Sequence, residues 1–412
     1  MIRLTRFISI LLIFLCLGTL ATCGEPSQAN HSSDAKGATE PLADKPLQAF
    51  QTKLLELAYD TASSIPLHPH IKDRALVQYQ IVTTCLEMDL PSRALGYGQK
   101  IDNWRRGAAL ADLARYCVEN GIKADVESYL TKAIDAVKDV EDHRRDQVRV
   151  NVAMTRTLLG EHSKASSLEK GVEVSEQGKG IVARIQSDGD AYETQVRELD
   201  ALTTTKNFDL VRNAARGYAA LFDKHYQDVK RRQHSEDRIK ASWAPLTILI
   251  RVELLMQLAD IAFKHRDIGK AKSLVDDAQT IVESHHWPLE YHVPLVSRLA
   301  SLRHRTGDVE RAITDADKVF ERYNKERSSL VDIDRAAAIR PLAEAYHKMG
   351  QPAKAMTVYR LAVEDGAENP NARPRAIDLV ATCRSMALCG FEPDAKLMDR
   401  MAKIRSGLGV PW

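Results

Sequence analysis

A single frame returns seven times along this chain, and a repeated frame of that length restricts the possible folds more tightly than composition does. With an arginine as position zero, Gly or Asp stands fifteen residues later: Arg74 leads to Asp89, Arg106 to Gly121, Arg145 to Gly160, Arg335 to Gly350 and Arg375 to Gly390. Two further copies keep the register with one substitution each, Arg251 with Arg266 and His292 with Gly307. Position seven is Ile81, Leu113, Val152, Leu258, Leu299, Leu342 and Thr382. Position eight is Val82, Ala114, Ala153, Ala259, Ala300, Ala343 and Cys383, and position twenty is Ala94, Val126, Ala165, Ala271, Ala312, Ala355 and Ala395.

Each column has a physical reading. About fifteen helical residues end at Gly, the residue best suited to the left-handed conformation that closes a helix. A short turn follows, then a second helix. The small residues at positions eight and twenty let the two helices approach, and the aliphatic at position seven fills the space between them. One such hairpin cannot bury its apolar stripe alone, so successive hairpins must stack. The chain is also long for one compact core, and it is rich in helix-forming residues with only 6% aromatics. The columns therefore predict an all-α fold, a right-handed α-solenoid of about eight stacked hairpins of roughly 40 residues each.

The pattern resembles the tetratricopeptide repeat, on Leu299-Ala300 with Gly307-Asp308 and Ala312, and on Leu342-Ala343 with Tyr346, Gly350 and Ala355. The resemblance runs from near residue 73 to 406. Successive frames lie 32, 39, 41, 43 and 40 residues apart, mostly longer than that family's repeat of about 34, and the family's final proline is mostly missing.

Between Arg145 and Arg251 the frame lapses. Residues 171–180 (GVEVSEQGKG) read as a loop, and a long second helix is expected to start at Phe208 and run to about Lys240. The expected organisation is N-terminal repeats over 46–170, a degenerate repeat over 171–243, C-terminal repeats over 244–406 and a tail over 407–412. That tail (GLGVPW) is read either as a cap on the last apolar face or as an exposed tag.

The N-terminus has its own signal. Arg3 and Arg6 precede the apolar run Phe7–Leu20, which is shorter than the ~20 residues a membrane span needs and suits an export signal. Leu20-Ala21-Thr22-Cys23 resembles the lipobox of bacterial lipoproteins. That resemblance implies cleavage after residue 22 and acylation of Cys23, with palmitate among the expected chains. Residues 23–45, small and polar, read as a lipidated tether. The expected location is the bacterial cell envelope, lipid-anchored and facing the periplasm or exterior.

Charge excludes one class of partner. The formal net charge is +2, and loss of Arg3 and Arg6 makes the remaining chain neutral, so nothing here would coat a nucleic acid. There is no HExxH, GxSxG, Walker loop or Rossmann fingerprint. No catalytic residue, metal or cofactor is assigned. Cys85, Cys117, Cys383 and Cys389 read as small buried residues, although their pairing is not fixed by spacing.

In tetratricopeptide arrays the first helices line the groove, and this carry-over selects the binding candidates. Position nine gives Thr83, Arg115, Met154, Asp260, Ser301, Glu344 and Arg384; position twelve gives Phe263, His304 and His347; position five gives Tyr79 and Arg340. Their mixed sign and aromatic content suit a protein or peptide partner. The zero-position arginines could form a ladder for a polyanion, but pairing across the inter-repeat seam explains them more simply. The functional expectation is an interaction scaffold, with an assembly subunit of an envelope complex or a cell-wall enzyme as alternatives.

Overall fold

The structure is a computed structural model and describes residues 40–412. The expected signal segment, Cys23 and the tether up to residue 39 lie outside the described residues. Among the described residues every regular element is helical: α1 (Ala49–Ser64), α2 (Leu67–Glu87), α3 (Pro91–Gly98), α4 (Arg105–Glu119), α5 (Val126–Asp135), α6 (His143–Leu158) and α7 (His162–Glu169). There follow α8 (Val174–Ser187), α9 (Tyr192–Thr204), α10 (Phe208–Lys224), α11 (Val229–Ala241), α12 (Ile248–Lys264) and α13 (Ile268–Glu283). The last six are α14 (Leu289–Arg305), α15 (Val309–Glu326), α16 (Asp332–Lys348), α17 (Pro352–Ala367), α18 (Ala372–Cys389) and α19 (Ala395–Ser406). None is long and apolar enough to cross a membrane.

The columns of the frame become the joints of an α-solenoid. All seven residues at position fifteen have positive φ, from 61° at Asp89 and Arg266 to 92° at Gly307. They end the first helix of each hairpin in the left-handed region. Positions seven and eight are buried in all seven copies. The zero-position arginines do structural duty: Arg74, Arg251, Arg335 and Arg375 donate to the carbonyls of Ile65, Leu246, Arg327 and Asn369, at 3.0–3.3 Å. Each therefore fastens its helix to the turn before it, where a polyanion ladder would need free guanidinium groups.

The even-numbered helices pack on one another in succession from α2 to α18, and the odd-numbered ones cover them from outside. The succession then closes. α18 packs on α2, and α1 lies along α18 in the place an outer helix occupies elsewhere. Arg384 Nε donates to Thr84 Oγ1 at 2.7 Å, and Arg373 pairs with Asp73 at 3.2 Å. The described body is thus a closed solenoid with nine inner helices. α19 is displaced by α1, and Ala395, the last residue of column twenty, is exposed.

Three expectations need correcting. The stretch read as a loop, 171–180, is helical from Val174; Gly178 and Gly180 mark places where neighbours press in, and a Cβ on Gly178 would lie 2.3 Å from Asn213 Oδ1. The long second helix is instead two, α10 and α11, broken at Tyr226–Asp228, where the Asp228 side chain caps α11. Two hairpins, α8–α9 and α10–α11, therefore fill the span read as one degenerate repeat. Residues 40–45 do not behave as a free tether: Asp44 accepts from the backbone N–H of Ser92 at 2.7 Å, capping α3, and Lys45 N donates to Asp89 O at 2.9 Å. The C-terminal tail folds back, with Pro411 O accepting from Ala372 N at 2.8 Å and Trp412 packed on the core.

Four tyrosines are fully buried, Tyr218, Tyr323, Tyr346 and Tyr359, and each finds a partner for its hydroxyl, as burial requires. Tyr323 donates to Asp365 at 2.6 Å, Tyr346 to Asp317 at 2.7 Å, Tyr218 to Asp200, and Tyr359 meets Ser385 at 2.9 Å. Among the described residues Cys85, Cys117 and Cys383 are buried and unpaired, and Cys389 is half-buried and unpaired.

Candidate functional site: the inner face

Polar side chains cross the seams between neighbouring inner helices. From α2 to α8 they form one chain: Tyr79 Oη donates to Asp112 at 2.5 Å, Asn151 donates to Asp112 at 3.0 Å, and Lys179 donates to Asn151 at 3.3 Å. Burial raises the Asp112 carboxyl above the usual range, and also raises the Tyr79 hydroxyl. Asn213 ties α10 to the Val174 carbonyl of α8, and Asp223 receives Lys264 and His265 across the next seam. Asp260 of α12 accepts from Arg298 at 3.1 Å and from Arg305 at 2.7 Å, both on α14. Arg340 of α16 meets Asp378 at 3.4 Å and Thr382 at 3.1 Å on α18. Burial pushes the Asp378 carboxyl up to about 6, with Arg340 opposing the shift.

One seam differs. Among the described residues no side-chain hydrogen bond or ion pair joins α14 to α16, and a cavity of 940 Å³ opens there, spanning α12, α14 and α16. Its floor includes Met256, Leu295 and Leu302, all at most 5% exposed, with Pro294 and Pro341 beside them. Both prolines lie inside helices. A proline has no N–H, so the carbonyls of Glu290 and Ala337 lose their donors one turn on. Around the floor stand Glu253, Glu290 and Lys348, which make no ion pair among the described residues, and Tyr291, which is 47% exposed. The volume falls in the range of ordinary ligand pockets, about 300–1,000 Å³.

The structure brings three position-nine candidates, Asp260, Ser301 and Glu344, onto this cavity. The others serve elsewhere. Tyr79 belongs to the buried chain, Thr83 bonds back to the Gln80 carbonyl, and Arg115 lies 3.7 Å from Glu119 on its own helix. Phe263 lies under the Arg305 guanidinium at 3.8 Å, and His347 meets Phe391 edge-on. His304 is half-buried and outside the cavity. Arg340 and Arg384 hold inter-helix seams, and burial lowers the pKa of both guanidinium groups. The columns at nine, twelve and five, with five taken only at Tyr79 and Arg340, miss part of the lining. Glu253 and Pro294 share position two, Met256 and Ser297 position five, and Arg305 and Lys348 position thirteen. Position five in these two repeats, with positions two and thirteen, carried the signal for those six residues. No group of three or more metal-ligating side chains stands together among the described residues.

No family model matches the chain, and no curated protein matches its sequence. Among solved structures it is similar to one described as a circular tandem repeat protein with novel repeat topology and enhanced subunit contact surfaces. Identity is 16%, coverage is 87% of this chain and 94% of the other, and the TM-score is 0.24. A score that low decides nothing about helix arrangement. The class rests on the coordinates: this is an all-α helical-repeat protein of the α-solenoid type, with nine inner helices among the described residues.

Proposed function

We propose that this protein is a lipid-anchored scaffold of the bacterial cell envelope, with tetratricopeptide-like repeats, that holds a protein or peptide segment in the cavity between α14 and α16. Helical-repeat scaffolds serve in protein binding generally. What supports this reading is that, among the described residues, the α14–α16 seam alone has no polar tie and opens on an apolar floor beside Glu253, Glu290 and Lys348, charges that make no ion pair there. A hydrophobic centre with a charged rim is the usual anatomy of a protein-binding patch. The anchor is acylated Cys23, and residues 24–39 link it to the segment docked at Asp44.

The experiment is photocrosslinking in cells of the native host. A photoreactive residue at Tyr291 captures a discrete partner, and one at Val331, 61% exposed outside the cavity lining, does not. Glu253→Lys with Glu290→Lys weakens capture at least tenfold, and Cys23→Ala releases the protein from membranes. Equal capture from both positions, or none from Tyr291, sinks the binding reading; an unchanged membrane fraction for Cys23→Ala sinks the anchor.

A further inference from the structure

A second site lies away from the inner face, in the part of the chain where the repeat frame lapses. In seven of the hairpins the first and second helices pack along each other, but α8 and α9 do not. The cause is local. α9 is drawn forward onto the next repeat through Gly217 of α10, where an added Cβ would come within 2.5 Å of Leu199. Tyr218 and Arg238 both hold Asp200 of α9, and Tyr192 Oη donates to the Arg231 carbonyl at 3.1 Å. Backward, α8 is fastened to α7 by Arg184 and Glu169 at 2.6 Å. Between them the two helices enclose a cavity of 380 Å³.

Gln195 lines this cavity and is 5% exposed, yet among the described residues neither its side-chain nitrogen nor its oxygen has a partner. A buried carboxamide left in that condition is costly; beside it the wall is formed by Ile181, Ile185, Leu199 and Leu202, and by a second carboxamide, Gln177, whose nitrogen already donates to the Val172 carbonyl at 3.1 Å. A carboxamide presents two N–H donors beside an acceptor oxygen. Its closest complement is a second amide, which accepts and donates along one edge. An ionised carboxylate could only accept, and it would also meet Glu169, Asp188 and Glu198 at the rim against a single cation, Arg184.

We propose that the splayed α8–α9 hairpin is a binding site for an uncharged amide edge carried on an apolar body, with Gln195 as the recognition residue. The amide can be the primary carboxamide of an Asn or Gln side chain in a polypeptide, or the lactam edge of a planar ring. The site is independent of the inner-face cavity, so either can fail without the other.

The test uses the full chain with selective ¹⁵N-glutamine labelling, and follows the Gln195 side-chain resonance during titration. N-acetyl-leucinamide represents the polypeptide source and uracil the ring source. At least one binds with Kd on the order of 1–10 mM and moves that resonance, whereas N-acetyl-leucine, with a carboxylate in place of the primary carboxamide, binds at least tenfold more weakly. The probe that binds identifies the source. Gln195→Leu weakens binding at least tenfold while leaving the helical circular dichroism intact; Gln195→Glu, which keeps the shape and loses the donors, does the same if the leucine variant fails to fold. Failure of both amide probes at about ten times that concentration, or undiminished binding in a folded Gln195 variant, overturns the proposal and leaves the cavity as a hydrated void only.

Discussion

Gln51, on the first helix, donates its side-chain amide to the backbone carbonyl of Ala387, 336 residues further along the chain, at 3.0 Å. The bond belongs to a seam that includes Arg405 with Asp60 at 3.3 Å and Arg384 with Thr84. An open solenoid leaves its two terminal repeats each with one neighbour, and they fray first. Here the terminal helices are each other's neighbours.

Closure should therefore govern cooperativity. Leu55 on α1 is fully buried, and Leu55→Ala should lower the unfolding free energy by about 2–4 kcal/mol. Urea unfolding of the unaltered chain should give one transition, with fluorescence and circular dichroism superimposing. Removal of residues 49–64 exposes the α18 face, and should yield separated transitions together with self-association in sedimentation. If the truncated chain stays monomeric and unfolds in one step, the seam contributes no cooperativity.

The left-handed joints give a pair of opposite predictions. Gly350 has φ of 71° and Arg266 has φ of 61° at the same position of the frame. A Cβ on Gly350 would meet nothing within 4 Å, so Gly350→Ala isolates the backbone cost, about 1 kcal/mol of lost stability. Arg266→Gly relieves the same strain and should raise stability by up to about 1 kcal/mol. Urea midpoints of the two variants read both signs. Loss of stability in Arg266→Gly would show that its side chain contributes more than its backbone strain removes.

How far the sequence could be read follows from how local each cause is. The hairpin joints were legible because Gly at position fifteen and Leu-Ala at seven and eight act within one hairpin. The lapse from Arg145 to Arg251 was misread for the complementary reason. α8 ends without a left-handed glycine, and its terminal carbonyls are met by Lys224, which donates to Ile185 O at 2.5 Å and to Gly189 O at 3.0 Å, besides Asp188 O. That cap comes from the next repeat and leaves no mark near α8 in the sequence. Closure was invisible for a stronger reason, since Gln51 and Ala387 share no periodicity. The turn between Gly390 and α19, Phe391-Glu392-Pro393-Asp394, is no longer than the one between Gly121 and α5, so it carries no mark of closure either. The frame picked out Asp260, Ser301 and Glu344 as inner-face residues, but which seam opens depends on polar ties present at the other eight.

His292 stands where six other repeats carry arginine, and this exchange should make stability depend on pH. Burial, reinforced by the Arg322 charge and by His286 and opposed by Glu326, lowers its pKa from 6.5 to about 4. Its Nδ1 is buried without a partner. In the unfolded chain the imidazole takes a proton near its ordinary value, while the folded protein refuses it until about 4. Between those values the unfolded state binds more protons, so stability falls as pH falls; the contribution is complete above 6.5 and lost by about 4. The shift corresponds to at most roughly 3 kcal/mol, less what solvent screens at this half-buried ring. Carboxylates titrate over part of the same range, so the measurement is a difference: unfolding free energies of the unaltered chain and of His292→Gln, each at pH 7 and at pH 4.5. The unaltered chain should lose about 2 kcal/mol more than the variant over that interval. Parallel losses would mean that His292 is protonated in the folded protein at an ordinary pH, and that the α14 start opens to admit the charge.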